Sequence, residues 1–329
     1  MSFPKLLGIF ATVLFSIILL AGLFKHLQSK PKNVSIPPKE IAVEMAKEQE
    51  VRTIVLPPEK QAPVKNVPVS TAPKIKEVEL PHADRIEELF TTKGGHSPLV
   101  QTISYKSQTS WQKGRPAWLS DYASHYSTSR HFIARSLNGN RDYFKQDIAE
   151  GDRFNVWNPE KKISFYLLID ASRCKMWFYA QDLTSHERIL LKTYPVGLGR
   201  INGAKASGML TPFGKYSLGN KIAIYKPKVS GMHNGKKIEM IKVFGTRWIP
   251  FEKEIAGCTA PAAGFGIHGV PWIPNEKGEL VPNDESLGKY DSDGCIRLKT
   301  DDMEELYSIV ISFPTIVEIV KDFTMVKSN

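Results

Sequence analysis

Short apolar runs separated by glycine and proline turns dominate the second half of the chain and limit what it can fold into. Four apolar residues alternate with other residues, and so share one face of a predicted strand: Ile163, Phe165, Leu167 and Ile169. Further runs at 176–179 and 189–196 have the length of strands, and turn sequences separate them. Many short strands with few helices predict a mainly β domain with a β-sandwich-like or barrel-like core, which we place at 159–329.

One helix is predicted near the end of this domain, at 300–312. Its apolar residues recur with helical spacing and form one stripe, consisting of Met303, Leu306, Tyr307 and Val310. Thr300 or Asp301 is expected to cap its first turn, and Pro314 to close its exit. A last strand is predicted at 315–320.

Composition and charge narrow the class of protein. The 329 residues are 42% apolar and 24% charged, which excludes a fully disordered chain. Three cysteines are too few for a disulfide-stapled scaffold; Cys174 and Cys258 are expected to be small buried residues, with a disulfide between them as the alternative. The net charge of +10 favours an anionic partner, but no recognisable nucleic-acid-binding motif is present, so we expect no nucleic-acid partner.

The N-terminus predicts a membrane anchor followed by a tether. Leu6 to Phe24 is a run of 19 residues without a charge, long enough to cross a hydrocarbon core of about 30 Å as a helix. A cleaved signal peptide is the alternative, although the exit site would be poor. We assign 1–25 to an uncleaved transmembrane helix, and the Pro-, Lys- and Glu-rich segment 26–84, which lacks aromatic residues, to a disordered linker.

Residues 85–158 predict a small module with two helices between two strands. An apolar stripe at 116–126 is typical of a helix, and 127–129 can cap a second helix that ends at 137–139. Strands are predicted on either side, at 103–105 and 154–157. This β-α-α-β order, the Leu-Asn-Gly helix end and the sequence Ala-Glu-Gly-Asp-Arg-Phe-Asn-Val at 149–156 resemble the LysM module. The resemblance implies binding to peptidoglycan glycan.

A histidine and a cysteine in the second half have the pattern of a thiol nucleophile with its base. Cys295 follows His268 by 27 residues and lies in the sequence Ser-Asp-Gly-Cys-Ile-Arg. A thiol nucleophile needs a base for its proton and backbone donors for the oxyanion. His268 suits the first need because its ordinary pKa lies near neutrality. Gly294 lets two successive N–H groups approach a substrate carbonyl, and the charge of Arg297 favours a thiolate or holds a substrate carboxylate.

Together with Thr-Pro-Phe-Gly at 211–214, these motifs resemble the L,D-transpeptidase catalytic domain (YkuD) over 162–322. The resemblance implies that Cys295 attacks the bond between the third residue and D-Ala of a peptidoglycan tetrapeptide stem, with His268 as base. It further implies that an amine of a neighbouring stem resolves the thioester. Backbone oxyanion donors are implied at Gly294 and Cys295, and the remaining pocket positions are Gly269, Ser292, Asp293 and Arg297.

The chain departs from this family at two places. Asp293 stands where the family usually has a histidine, and its carboxylate would either raise the pKa of the thiol by repulsion or orient an imidazolium. Residues 274–287 lengthen the loop between the two motifs and predict an inserted flap or lid. The glycines at 264, 266 and 269 imitate a dinucleotide fingerprint, but prolines follow where its helix would be, so we expect no cofactor, and no metal site either.

The sequence therefore predicts a single-pass protein of a bacterial inner membrane, with an L,D-transpeptidase domain in the periplasm that cross-links the cell wall. Its expected partners are peptidoglycan stem peptides, glycan and the membrane, and the oligomeric state stays open. Three lysines follow the anchor, and by the positive-inside rule they would retain the domain in the cytoplasm. The peptidoglycan chemistry implied by the resemblance requires the opposite orientation. The alternatives are an L,D-carboxypeptidase, a protein-to-peptidoglycan ligase, and a non-catalytic peptidoglycan-binding protein.

Overall fold

The computed structural model of the chain describes residues 79–95, 97–137, 148–185, 187–219 and 223–326, the side chains of 223 and 224 excepted. The predicted anchor, most of the predicted linker and the expected Asn138–Gly139 helix end lie outside these residues. Within the described ranges, no helix is both long enough and apolar enough to cross a membrane. The described residues all belong to one compact unit, Lys76–Asn329.

This unit contains short helices and many strands. Its described α-helices are α1 Glu87–Phe90, α2 Leu119–His125, α3 Arg130–Ser136, α4 Ile241–Phe244 and α5 Thr300–Val310. The strands up to the middle of the unit are β1 Val100–Ser104, β2 Arg153–Trp157, β3 Ile163–Asp170, β4 Lys175–Asp182, β5 Arg188–Pro195, β6 Leu198–Gly199, β7 Gly214–Leu218, β8 Ala223–Ile224, β9 Ser230–His233 and β10 Lys236–Glu239. The remaining strands are β11 Arg247–Ala256, β12 Gly266–Gly269, β13 Trp272–Pro274, β14 Leu280–Pro282, β15 Tyr290–Ser292, β16 Ile296–Leu298 and β17 Thr315–Val320. Short 3-10 helices cover Asp284–Ser286 and Phe323–Met325.

The main sheet confirms the predicted mainly β domain. Its nine strands follow the order β16-β12-β11-β7-β17-β3-β4-β5, with β8 beside β11. Two neighbouring pairs in this order are parallel, β12–β16 and β3–β17, and the other pairs on the path are antiparallel. Gly197, just after β5, forms a bridge with Arg297 of β16, so that the two ends of the sheet meet. The result is a nearly closed, barrel-like sheet.

The helix α5 packs against β11 and β12 of this sheet, and its predicted apolar stripe is buried. Met303 and Leu306 are fully enclosed, and Tyr307 and Val310 are nearly so. The prediction of its cap is wrong, because the N-cap residue is Lys299 and no side chain caps it. Asp301 and Asp302 instead lie in the first turn, where carboxylates favour the positive end of the helix dipole.

The segment before the main sheet has the β-α-α-β order, with β1 and β2 paired antiparallel. Its own small core includes Tyr122, Ile133 and Phe154. The helix α3 is capped by Ser129, whose hydroxyl accepts from the Phe132 N–H at 3.0 Å. The same hydroxyl donates to the carbonyl of Ser308 in α5 at 2.8 Å, so this segment is docked on the domain that contains the main sheet rather than separated from it.

The folded unit begins before residue 85, where the linker was expected to end. Leu80 packs against Trp177 and its neighbours on the outer face of the sheet, and the Trp177 indole donates to the Pro81 carbonyl at 2.6 Å. Backbone bonds from Arg85 to Leu191 and from Thr193 to Ala83 then pair this segment with the edge of β5. An otherwise open sheet edge is thereby covered by the chain itself.

Candidate active site

Two parallel strands bring the predicted base and nucleophile together. The register of β12 and β16 pairs Ile267 with Ile296 and His268 with Arg297. Cys295 directly precedes β16, and so stands beside the start of β12. Residues 27 positions apart in the chain therefore become neighbours in the sheet.

His268 is held as a neutral base. Its ring is buried, and Nδ1 lies 2.7 Å from the carbonyl oxygen of Gly269. A carbonyl can only accept, so Nδ1 carries the hydrogen and Nε2 keeps its lone pair. Burial is the main reason why the pKa of His268 is lowered to about 4, and the charge of Arg297 adds to it, while the bond to Gly269 opposes the shift. The imidazole thus enters the reaction unprotonated at neutral pH.

The turn that presents Cys295 is fixed by the Ser292 hydroxyl. This hydroxyl donates to the carbonyl of Cys295 at 2.7 Å and accepts from the Gly294 N–H at 3.1 Å. Gly294 has φ +120°, and a Cβ there would lie 2.6 Å from the Phe265 ring, so only glycine fits. Since the Gly294 amide is engaged within the turn, the Cys295 amide is the better candidate of the two expected oxyanion donors.

Thr211, the first residue of the Thr-Pro-Phe-Gly motif, connects this turn to the strand β6. Its buried hydroxyl accepts from the Gly199 N–H at 2.7 Å and donates to the Gly294 carbonyl at 2.9 Å. The last residue of the motif, Gly214, has φ +120° and packs against the backbone of Cys258. The motif therefore supports the nucleophile without belonging to the reacting groups.

The Cys295 thiol lies in a crowded but partly open position. Sγ is 3.7 Å from the carbonyl oxygen of Gly264. Burial raises the pKa of Cys295 to about 11, although the Gly266 N–H, the charge of Arg297 and the Trp248 indole oppose the shift. Sequence reasoning missed Trp248, because only the register of β11 and β12, which places it opposite His268, reveals that it belongs to the site.

These shifts determine the resting protonation state of the thiol and the imidazole. With the pKa of Cys295 raised and that of His268 lowered, thiol and imidazole are both neutral near pH 7. A neutral thiol near a neutral imidazole suits general-base activation, in which the imidazole takes the thiol proton as a substrate arrives, rather than a preformed ion pair.

Asp293 does not orient the histidine. Its exposed carboxylate pairs with the Arg200 guanidinium, while the Gly269 carbonyl occupies Nδ1 of His268. Asp293 does raise the pKa of Cys295, but it is the last among the causes of that shift. The predicted role as third member of a triad is therefore taken by a backbone carbonyl.

Arg297 is placed to act on both reacting groups. Its guanidinium donates to Asp291 at 2.7 Å, and its charge lowers the pKa of both His268 and Cys295. Gly269 contributes through its backbone: its carbonyl fixes the imidazole, and its position is opposite Leu298 in β16.

Two hairpins lie next to the site. The expected flap at 274–287 is an ordered hairpin, β13–β14, followed by a 3-10 helix. The second hairpin, β9–β10, is connected to the site by rings: His233 meets Phe244 edge-on at 5.4 Å, and Phe244 meets His268 edge-on at 5.3 Å. This second hairpin exposes Met232 and two lysines, Lys236 and Lys237.

The cysteines outside the site do not form the alternative disulfide. Cys174 is buried and Cys258 is partly exposed, and both are free thiols. Burial raises the pKa of Cys174. The expectation of a small buried residue is confirmed for Cys174 and is wrong for Cys258.

Comparison with known proteins places this site within a recognised domain. The family model of the L,D-transpeptidase catalytic domain, YkuD, matches residues 164–319. Solved structures similar to the chain include Bd1075 of Bdellovibrio bacteriovorus, at 16% identity and a TM-score of 0.33, over 48% of each chain. They also include the helical cell shape determining protein Pgp2 of Campylobacter jejuni, at 17% identity and a TM-score of 0.32, over 49% of each chain. The match thus spans about half the length of these chains, and comparison with curated protein sequences found no significant match.

Proposed function

We propose that the protein is a peptidoglycan L,D-transpeptidase that acts through Cys295, because the family model of the L,D-transpeptidase (YkuD) catalytic domain matches residues 164–319. The observation that carries this proposal is the β12–β16 register, by which Cys295 stands at the start of β12, two positions along the strand from His268. The ring of His268 is buried, and because its Nδ1 bonds to the Gly269 carbonyl, Nε2 keeps the lone pair that can accept a proton. A peptidoglycan-directed function follows from the family, and the reaction type is our inference.

The reaction has two acyl-transfer steps. In the first, His268 Nε2 takes the Cys295 proton, and Sγ attacks the carbonyl carbon of the third stem residue. The Cys295 amide donates to the developing oxyanion. The bond to D-Ala then breaks, the imidazolium gives its proton to the departing amine, and a thioester remains.

In the second step an amine of a neighbouring stem resolves the thioester. The amine attacks the thioester carbonyl while His268 takes one of its protons. The carbon–sulfur bond breaks, and the proton returns to Cys295, which restores the enzyme. Water in place of the amine would give L,D-carboxypeptidase activity on the same site, and a protein lysine would attach a protein to the wall.

The test is mass spectrometry of tetrapeptide muropeptides incubated with the purified protein. We expect D-Ala release together with dimers joined through third stem residues, and loss of both in Cys295→Ala. Cys258→Ala is the matched control, because that cysteine is a free thiol outside the site. D-Ala release without dimers would replace transpeptidation by hydrolysis, and a folded wild type that leaves the muropeptides unchanged would favour a binding role.

We further propose that the β-α-α-β segment is a LysM-like module that binds glycan. Trp118 at the start of α2 is 61% exposed, and the Arg115 guanidinium covers one ring face at 4.6 Å. An exposed, oriented indole suits stacking on a sugar ring. Pull-down with insoluble peptidoglycan should decline in Trp118→Ala while Cys295→Ala binds normally; unchanged binding in both would contradict this role.

The place of the protein in the cell is part of the same proposal. A peptidoglycan substrate requires the catalytic domain to face the periplasm, with Leu6 to Phe24 as the anchor in the inner membrane. A reporter enzyme that is active only outside the cytoplasm, fused after Asn329, should be active. An inactive fusion would favour the orientation given by the positive-inside rule.

A further inference from the structure

The Trp248 indole is a buried hydrogen-bond donor that has no nitrogen or oxygen partner among the described residues. Its Nε1 is enclosed, and no such acceptor lies within hydrogen-bond distance. An unpaired buried donor is costly, so its retention in a crowded site calls for an explanation. The general-base reaction described above does not use this group.

Two strand registers place this donor beside the nucleophile. Trp248 of β11 is opposite His268 of β12, and the parallel pairing of β12 with β16 extends to set Gly266 beside Cys295. Trp248 Nε1 lies only 2.8 Å from where a Cβ on Gly266 would be, so the indole fills the space that the missing side chain leaves. The donor thus reaches the strand position next to the sulfur.

The Cys295 sulfur is the acceptor that this geometry offers. As a neutral thiol, Cys295 donates to the Gly264 carbonyl, with Sγ and the oxygen 3.7 Å apart, and a thiol accepts weakly. As a thiolate it would accept strongly from the indole N–H and the Gly266 N–H. Consistently, both groups act to lower the pKa of Cys295 against the effect of burial.

We propose that Trp248 is a further catalytic residue, whose indole N–H donates to the Cys295 sulfur and stabilises the thiolate as it forms. The indole keeps its proton throughout, and the thiol proton goes to His268. Glycine at 266 is what allows the indole to come this close. This role rests on the proposed function of Cys295 as nucleophile, but it concerns a property of the free protein.

A test of this role must account for the other titratable and charged groups that face the Cys295 sulfur. Arg297 of β16 favours the thiolate, Asp293 of the preceding turn opposes it, and His268 of β12 is neutral near pH 7. None of these is altered by a substitution at 248. A change in thiolate formation in such a variant is therefore attributable to the indole.

The experiment measures alkylation of Cys295 by iodoacetamide across pH 7–10 in the full-length protein purified in detergent. Trp248→Phe removes the donor, and we expect about tenfold slower alkylation at each pH below the thiol pKa, which corresponds to the loss of one charge-assisted hydrogen bond. Replacing Trp248 with benzothienylalanine, which keeps the ring shape and lacks the N–H, should have the same effect. Trp157→Phe is the matched control, because it removes another buried indole N–H without an acceptor, away from the site.

A second readout observes the donor itself. The ¹H–¹⁵N resonance of the Trp248 indole should shift with pH in step with Cys295 ionisation, and should lose this dependence in Cys295→Ala. Equal alkylation rates in wild type and both Trp248 variants, or an equal loss in Trp157→Phe, would overturn the assignment. Neither readout needs substrate. A wild type that forms no muropeptide product would therefore contradict the proposed function but would leave this test of Trp248 unaffected.

Discussion

At the scale of single residues, Thr211 shows how a group outside the reaction can determine whether the reaction occurs. Its hydroxyl is the link between the Gly199 N–H and the Gly294 carbonyl. Thr211→Val keeps the shape but leaves a buried N–H unpaired, so we expect the free energy of unfolding to fall by about 1–3 kcal/mol. Acyl transfer should fall as well, because the nucleophile turn loses its support.

Urea denaturation of Thr211→Val and Thr211→Ser measures this effect. The serine variant keeps the hydroxyl and should retain most of the stability and activity. A valine variant as stable and as active as the serine variant would show that the hydrogen bonds of the Thr211 hydroxyl do not support the nucleophile turn.

Asp293 provides a second test at this scale. Because its carboxylate pairs with exposed Arg200 and does not contact His268, we expect Asp293→Asn and Asp293→His to change kcat/KM by less than about threefold. His268→Gln should lower it by about 100-fold or more, since it removes the base. Both are measured as D-Ala release from muropeptides. A larger loss at Asp293 than at His268 would mean that the base is wrongly assigned.

The chemistry at these positions could be predicted from residue types, whereas the supporting contacts could not. The roles of Cys295 and His268 were predicted because the His-Gly and Ser-Asp-Gly-Cys-Ile-Arg sequences resemble the motifs of the L,D-transpeptidase family. Trp248 was not, because an indole becomes part of a site only through the strand register that places it opposite His268. The protonation states also escaped prediction, since burial decides them and a sequence does not give the burial of a particular atom.

At the scale of elements, the hairpin β9–β10 presents two positively charged side chains next to the site. Lys236 and Lys237 are exposed, and the nearby Glu239 is already paired with Lys242 at 3.2 Å. Stem peptides carry carboxylates, so we expect the double variant Lys236→Glu, Lys237→Glu to raise KM about tenfold at low salt with little change in kcat. The effect should shrink as salt screens the charges.

Steady-state kinetics at two salt concentrations test whether Lys236 and Lys237 attract the substrate. The matched control is Lys175→Glu with Lys321→Glu, which reverses two exposed lysines near the end of β17. A salt-independent effect, or an equal effect in the control, would argue against substrate recognition by the hairpin.

Strands and helices could be predicted where the spacing of apolar residues within one short segment determines them. The strand β3, the final strand β17 and the buried stripe of α5 agree with the spacing of their apolar residues. The cap of α5 was misplaced by one position, because Thr300 and Asp301 are good caps in general but enter the helix here. The order of strands in the sheet, including the β12–β16 pair, depends on contacts between distant residues and has no local pattern.

At the scale of the whole molecule, buried titratable groups predict how stability depends on pH. Burial lowers the pKa of His131 and His268 to about 4, so the unfolded chain binds protons at a higher pH than the native one. Stability is therefore full above about pH 6.5 and is lost as pH falls toward 4. Cys295 affects stability at alkaline pH. Its pKa of about 11 exceeds its ordinary value, so stability is lost as pH rises from about 9 to 11.

These signs predict a plateau of stability between about pH 6.5 and 9, which urea denaturation at a series of pH values measures. His131→Gln should make the acid side of the curve less steep, because one of the two protonations that favour unfolding is removed. Cys295→Ala should do the same on the alkaline side, where the buried tyrosines also contribute. His82→Gln, which removes an exposed imidazole, is the control. An acid slope that His131→Gln leaves unchanged would show that this half-buried imidazole, whose Nε2 lies 3.2 Å from the Tyr307 hydroxyl of α5, is not held neutral there.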